Sequence, residues 1–269
     1  MISAAPHGDV LQIRMSRYPE FMTGTWVCAY LVDGLLIDTG PAFTAAELVE
    51  YLRDQPPDQA VNTHFHEDHI SANKFLQDAY QTQIFAHRKA VAKIGRPATL
   101  YPYQEEVWGY PVPSAVTPLG DYVETRKHRF EIIPTPGHER DHICLFEKNE
   151  GWLFTGDLYV TTRPVVCRQS DDMRQILADL KMLRSLNPGI LFPAPTHVVM
   201  NAMEKLNLVI AYLEDVGGKI DDLSASGRSP DDIRRELFGG EGIIYEATQH
   251  QFSSLNFVTS FLRKQHVER

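Results

Sequence analysis

Thr63-His64-Phe65-His66-Glu67-Asp68-His69 decides the reading of this chain. Three histidines and an aspartate fall within six residues, after a short apolar run (Ala60, Val61) and before a helix-like segment from Ile70 to Tyr80. In an extended segment, residues two apart point the same way, so His64 and His66 can present their imidazoles to one metal ion. Asp68 and His69 follow at the turn into the helix, where the chain has changed direction, and suit a second ion nearby. A single histidine in a polar loop reads as solvated. Four ligand-type residues at this spacing read as a metal centre.

More ligand-type residues stand at the ends of apolar runs. His138 closes Thr135-Pro136-Gly137-His138 after the run Phe130 to Ile133. Asp157 closes Phe154-Thr155-Gly156-Asp157, and His197 closes Pro193-Ala194-Pro195-Thr196-His197 after Ile190 to Phe192. Ligands therefore recur at strand ends, where the loops of a layered α/β protein gather on one rim. This pattern resembles the metallo-β-lactamase superfamily over roughly residues 10 to 215, with all seven ligand positions filled in order.

The resemblance implies an α/β fold, an αββα sandwich of two mixed β-sheets flanked by helices. It also implies a binuclear site in which His64, His66 and His138 hold one metal, Asp68, His69 and His197 hold the other, and Asp157 bridges them. Asp68 and Asp157 are then the catalytic carboxylates. Donors of nitrogen and oxygen without thiolate favour two Zn2+, while iron and manganese tolerate the same set. Two dications make a nucleophile of a shared water and polarise the scissile bond. Asp38 ends the apolar run Leu36-Ile37, where a desolvated carboxylate needs a partner; in similar proteins it lies beneath the metal loop and orients a ligand. Two departures stand out. Glu139-Arg140 follow His138 in place of small polar residues, with His142 expected to hydrogen-bond a ligand. Ala194-Pro195-Thr196 and Val198 replace the usual glycines around His197.

The remaining sequence bounds the molecule. At 269 residues, 43% apolar and 23% charged, it can bury a full core and is ordinary for a globular protein. The formal charge of −9 weighs against a nucleic-acid surface. Met1 to Val10 lacks a basic stretch followed by an apolar one, and no run reaches transmembrane length, so no membrane partner is expected. Three unpatterned cysteines (Cys28, Cys144, Cys167) read as small structural residues in a reducing compartment, most simply the cytoplasm.

Strands are expected at Val10 to Met15, Trp26 to Val32 and Leu35 to Asp38, the last two joined through the hairpin dipeptide Asp33-Gly34. Residues 95 to 120 interleave five prolines with Tyr101, Tyr103, Trp108 and Tyr110, a composition too proline-rich for a regular element. This stretch is expected to wall the site and select substrate through Tyr103 and Trp108. Tyr159, Arg163 and Arg168, downstream of Asp157, are candidate contacts for an anionic substrate. Helices are expected near Arg88 to Lys93, over Asp171 to Leu186, and over Ala202 to Val216 with Gly217-Gly218 closing it. Residues 1–218 then form the catalytic domain. Residues 219–269 form a helical extension, with one helix opening at Ser229-Pro230 and another spanning His250 to Lys264. This extension resembles those of glyoxalase II and of the lactamase-like endoribonucleases.

The leading functional reading is hydrolysis of an ester, thioester or lactone in a small-molecule substrate. The alternatives are an endoribonuclease or phosphodiesterase, which a cluster of Arg234, Arg235, Arg263, Lys264 and Arg269 would favour, and a mononuclear iron oxidoreductase like the persulfide dioxygenases. The oligomeric state stays open, a homodimer included.

Overall fold

The computed structural model describes residues 1–18 and 24–263; Lys264 and Arg269 of the expectations above lie outside them. Two mixed sheets, flanked by helices, make up the α/β architecture. The first runs in the order β1 (Ile2–His7), β2 (Val10–Ser16), β3 (Trp26–Val32), β4 (Leu35–Ile37), β5 (Gln59–Asn62), β6 (Gln83–Ala86) and β7 (Thr117–Pro118). It is antiparallel from β1 to β4 and parallel from β4 to β7. Asp33 and Gly34 both take positive φ, which two-residue hairpins of this kind require.

The second sheet contains β8 (Tyr122–Glu124), β9 (Arg129–Pro134), β10 (Ile143–Glu147), β11 (Trp152–Gly156) and β12 (Ile190–Pro193). Only the β11–β12 pair is parallel. Alternation along β3 explains the layering. Trp26, Cys28, Tyr30 and Val32 meet Phe130, Leu145, Phe154 and Phe192 of the second sheet in one core. Ala29 and Leu31 face the opposite way, into a second core with α1 (Ala45–Tyr51) and α3 (Asn73–Tyr80). Between β5 and α3 lies the short α2 (Glu67–Ile70), whose first turn carries Asp68 and His69.

The chain divides into two compact units. The first holds both sheets (Met1–Thr135, Arg140–Val160 and Pro188–Ala202). The second holds Pro136–Glu139, Thr161–Asn187 and the chain from Met203 onward. It contains α6 (Met173–Ser185), most of α7 (Ala202–Ala225), α8 (Pro230–Phe238), α9 (Ile243–Ala247) and α10 (Ser254–Leu262).

Several expected elements are corrected. The 95–120 stretch is not irregular throughout, because α5 (Pro102–Val107) forms there after α4 (Val91–Ile94). Pro102 occupies the helix start, where a missing N–H costs nothing, and Gln104 accepts the Tyr101 N–H at 2.9 Å. Helix α7 does not stop at Gly217-Gly218. Gly217 serves packing instead, since a Cβ there would meet the Phe261 ring at 2.8 Å. The final helix starts at Ser254, capped by the Ser253 hydroxyl, rather than at His250. Arg234 and Arg235 pair with Asp231 and Asp232 on their own helix. All three cysteines are buried thiols, and burial pushes the Cys28 thiol up to about 11. No helix of the described residues is long and apolar enough to cross a membrane.

Candidate metal centre

The loop from β5 to α2 is braced before any ligand is considered. Asp38, at positive φ just past β4, accepts the Thr63 N–H at 2.8 Å and the Thr63 hydroxyl at 2.9 Å. Its other duty is to His69, whose Nδ1 donates to Asp38 Oδ2 at 2.8 Å. Asp38 therefore lies against the loop that carries His64 to His69. Asp141, fully buried, accepts the Phe65 N–H at 3.0 Å and pairs with Lys93 at 3.2 Å. The His69 carbonyl accepts from Thr39 and Asn62 at 2.8 and 3.0 Å.

This bracing sets the ring orientations. His64 Nε2 and His66 Nδ1 stand 2.8 Å apart, a separation that needs either a shared proton or a shared cation. With Nδ1 committed to Asp38, His69 turns Nε2 toward Asp157 Oδ1 at 3.3 Å and Asp68 Oδ2 at 3.5 Å. That nitrogen is buried with no hydrogen-bond partner among the described residues. Burial alone would lower the His69 pKa, but the carboxylates of Asp68, Asp157 and Asp38 outweigh it and hold the pKa well above the usual histidine value. A converging set of acceptors that attracts a proton so strongly is equally suited to a metal cation.

Within the first unit, five of the seven expected ligands fall into groups able to hold an ion: His64, His66 and Asp157 in one, Asp68, His69 and Asp157 in the other. In the second group the donor atoms all lie within 4.8 Å of one another. Asp157 belongs to both. Its backbone N–H donates to His142 Nε2 at 3.2 Å, which fixes the His142 tautomer, and His142 Nδ1 then donates to Thr135 Oγ1 at 2.8 Å. Gly156 must be glycine here, with φ of +47° and a Cβ position 2.6 Å from His142 Nε2. His197 stands apart from these groups. It is exposed, against Trp26 at 5.4 Å, with Nδ1 3.2 Å from Arg14 Nη2.

Within the second unit, His138 Nδ1 lies 2.9 Å from Asp171 Oδ1. The Gly137 N–H donates to Asp179 Oδ2 at 2.9 Å, and the Gly137 carbonyl accepts from Asp172 at 2.8 Å. A Cβ on Gly137 would sit 2.5 Å from the Ile176 nitrogen, so the turn can press on α6 only as glycine. Asp171 and Asp179 were not legible as site residues. One trace existed: Asp172 alone caps α6, through Arg174 and Gln175, which leaves the adjacent Asp171 for another task.

Burial raises the Asp179 pKa to about 6. Its folded value exceeds its unfolded one, so the neutral form is favoured by folding, and stability falls as pH rises from about 4 through about 6. Asp179→Asn removes that cost. It is expected to stabilise the protein by about 2 kcal/mol at pH 7.5 and by nothing at pH 4, measured by chemical denaturation at both values.

Each residue expected to contact substrate has its own surroundings. Trp108 is buried in an apolar cluster with Val27 and Ala194. Tyr103 stacks on Tyr101 with centroids 6.3 Å apart. Tyr159 is buried, Arg163 is exposed, and Arg168 lies over the Phe252 ring at 5.0 Å.

The Metallo-beta-lactamase superfamily profile matches residues 28–195. The probable metallo-hydrolase YybB of Bacillus subtilis (strain 168) is 30% identical over 196 residues, covering 70% of this chain and 87% of YybB. A hydroxyacylglutathione hydrolase of Pelagibacter ubique is 27% identical over 115 residues, 42% of this chain and 41% of that protein. Among solved structures, a metallo-beta-lactamase family protein from Thermus thermophilus superposes with a TM-score of 0.66 at 16% identity, covering 94% of this chain and 92% of its own. With its ligand groups set on two mixed sheets, the chain belongs to the metallo-β-lactamase superfamily.

Proposed function

We propose that this chain is a binuclear metal-dependent hydrolase of ester, thioester or lactone bonds, with zinc as its metal. The carrying observation is the place of Asp157, one carboxylate common to both ligand groups. Two divalent cations bound there would supply an acidified water and a positive field for charge developing on the scissile carbonyl.

The chain's own residues do the positioning. Asp38 commits the His69 proton to Nδ1 and keeps Nε2 available as a donor to metal. His142 fixes the backbone of Asp157 and Thr63 ties the loop to Asp38, so the donors are arranged before any ion arrives. The likeness to a hydroxyacylglutathione hydrolase puts thioesters first on a substrate panel, because an acyl-glutathione is a thioester.

Protein purified without added metal is expected to carry about two zinc ions per chain by elemental analysis. It should hydrolyse a member of an ester, thioester and lactone panel, with activity lost on chelation and restored by zinc. About one iron per chain with no hydrolysis would overturn the proposal and direct attention to oxygen-dependent sulfur chemistry.

A further inference from the structure

We propose that Arg14 locks His197 in its Nε2-protonated tautomer and so withdraws it from the metal centre. The cation at Asp68, His69 and Asp157 then takes three ligands from this chain. The inference rests on the metal-centre reading above and sharpens it.

A guanidinium has donors and no acceptor, so across the 3.2 Å contact Arg14 Nη2 donates and His197 Nδ1 accepts. A neutral imidazole that accepts at Nδ1 carries its hydrogen on Nε2, and an Nε2–H has no lone pair for a metal. The other histidines of the site are set the opposite way. His69 Nδ1 donates to Asp38, His138 Nδ1 faces Asp171, and His142 Nδ1 faces Thr135. An acceptor on Nδ1 is the arrangement that leaves Nε2 bare for a ligand bond. His197 alone of these four meets a cation there.

The contact is built into the sheet. Arg14 and Trp26 lie on adjacent strands, and the guanidinium stacks over the indole at 4.7 Å. His197 packs on the same indole. The turn that carries it is fastened to β3 and β11: Tyr30 Oη donates to the Pro193 carbonyl at 2.5 Å, Cys28 N–H to the Ala194 carbonyl at 2.9 Å, and Ala194 N–H to the Gly156 carbonyl at 3.0 Å. Pro193 and Pro195 stiffen this turn further. An open position at a catalytic zinc is where solvent or substrate binds, so withdrawing one protein ligand frees coordination for the reactant.

The test uses the zinc-loaded full chain with 15N-labelled histidine, read by long-range proton–nitrogen NMR. Wild type and Arg14→Lys, which keeps a donor at Nδ1, are expected to show His197 protonated on Nε2. Arg14→Met, which keeps apolar contact with Trp26 but has no donor, is expected to lose that preference. In zinc titrations against a chelator, His197→Ala should bind as many ions as wild type with affinity within about threefold, whereas His69→Ala should lose about tenfold or more for one ion. A wild-type His197 with bare Nε2, or a His197→Ala protein that binds one zinc fewer, overturns the lock. Unchanged zinc binding in His69→Ala would sink the metal-centre reading instead, and the measured tautomer would still decide the role of Arg14.

Discussion

Asp68→Ala is expected to lower turnover on the order of 10³-fold while the protein stays folded, with zinc content falling from about two ions per chain to about one. The side chain is buried in α2 with Oδ2 3.5 Å from His69 Nε2, in the group that also contains Asp157. With His197 outside that group, deleting Asp68 leaves His69 and Asp157 as its only donors among the described residues, too few to hold an ion at ordinary metal concentrations.

The fold should not suffer, because three carboxylates crowd around His69 in the ion-free protein. Removing one relieves repulsion between like charges. The ion-free variant is therefore expected to melt at or above the temperature of ion-free wild type. Zinc should raise the melting temperature of wild type more than that of the variant, since an ion bound only by the native state stabilises by mass action. Calorimetry with and without zinc, beside elemental analysis and turnover, checks each part. Two zinc ions per chain with undiminished turnover in Asp68→Ala would exclude the two-ion mechanism.

What could be read without coordinates was what the sequence encodes over short distances. Acid and histidine at a helix start are a local pattern, and Asp68 and His69 do open a helix, although α2 starts at Glu67, stops before α3, and leaves His64 in a bend rather than an extended segment. The hairpin at Asp33-Gly34 and the cap at Ser229 are local in the same sense. The misses depended on distant partners. Helix α7 continues through two glycines because Phe261, more than forty residues later, fills the space a side chain would take. Strand β1 was not anticipated, since its pairing is supplied by β2 and four of its six residues are exposed, which leaves little apolar pattern. His197 follows a strand in the expected order, but its surroundings were not legible. Its actual environment is set by Arg14 on β2 and Trp26 on β3, and no spacing rule connects them.

Asp38 is where the fold and the site depend on the same atoms, and Asp38→Ala is expected to cost about 3–5 kcal/mol of stability, a larger change than Asp68→Ala or Asp179→Asn should bring. Its carboxylate is almost fully buried and accepts from the Thr63 N–H, the Thr63 hydroxyl and His69 Nδ1. Alanine would strand these donors in the interior and would have to hold a φ of +60°, which aspartate and asparagine tolerate better. The melting temperature should fall by about 10 °C. Asp38→Asn separates the two roles. It keeps the size, the backbone tolerance and one acceptor oxygen, so most of the stability should return. If that oxygen stays on Thr63, the amide NH2 faces His69 Nδ1 and drives the ring to the Nε2-protonated tautomer, the same state that Arg14 imposes on His197. Asp38→Asn should then melt close to wild type yet bind zinc about 10–100-fold more weakly. A variant that melts normally and binds zinc with wild-type affinity would show that the tautomer of His69 does not depend on Asp38.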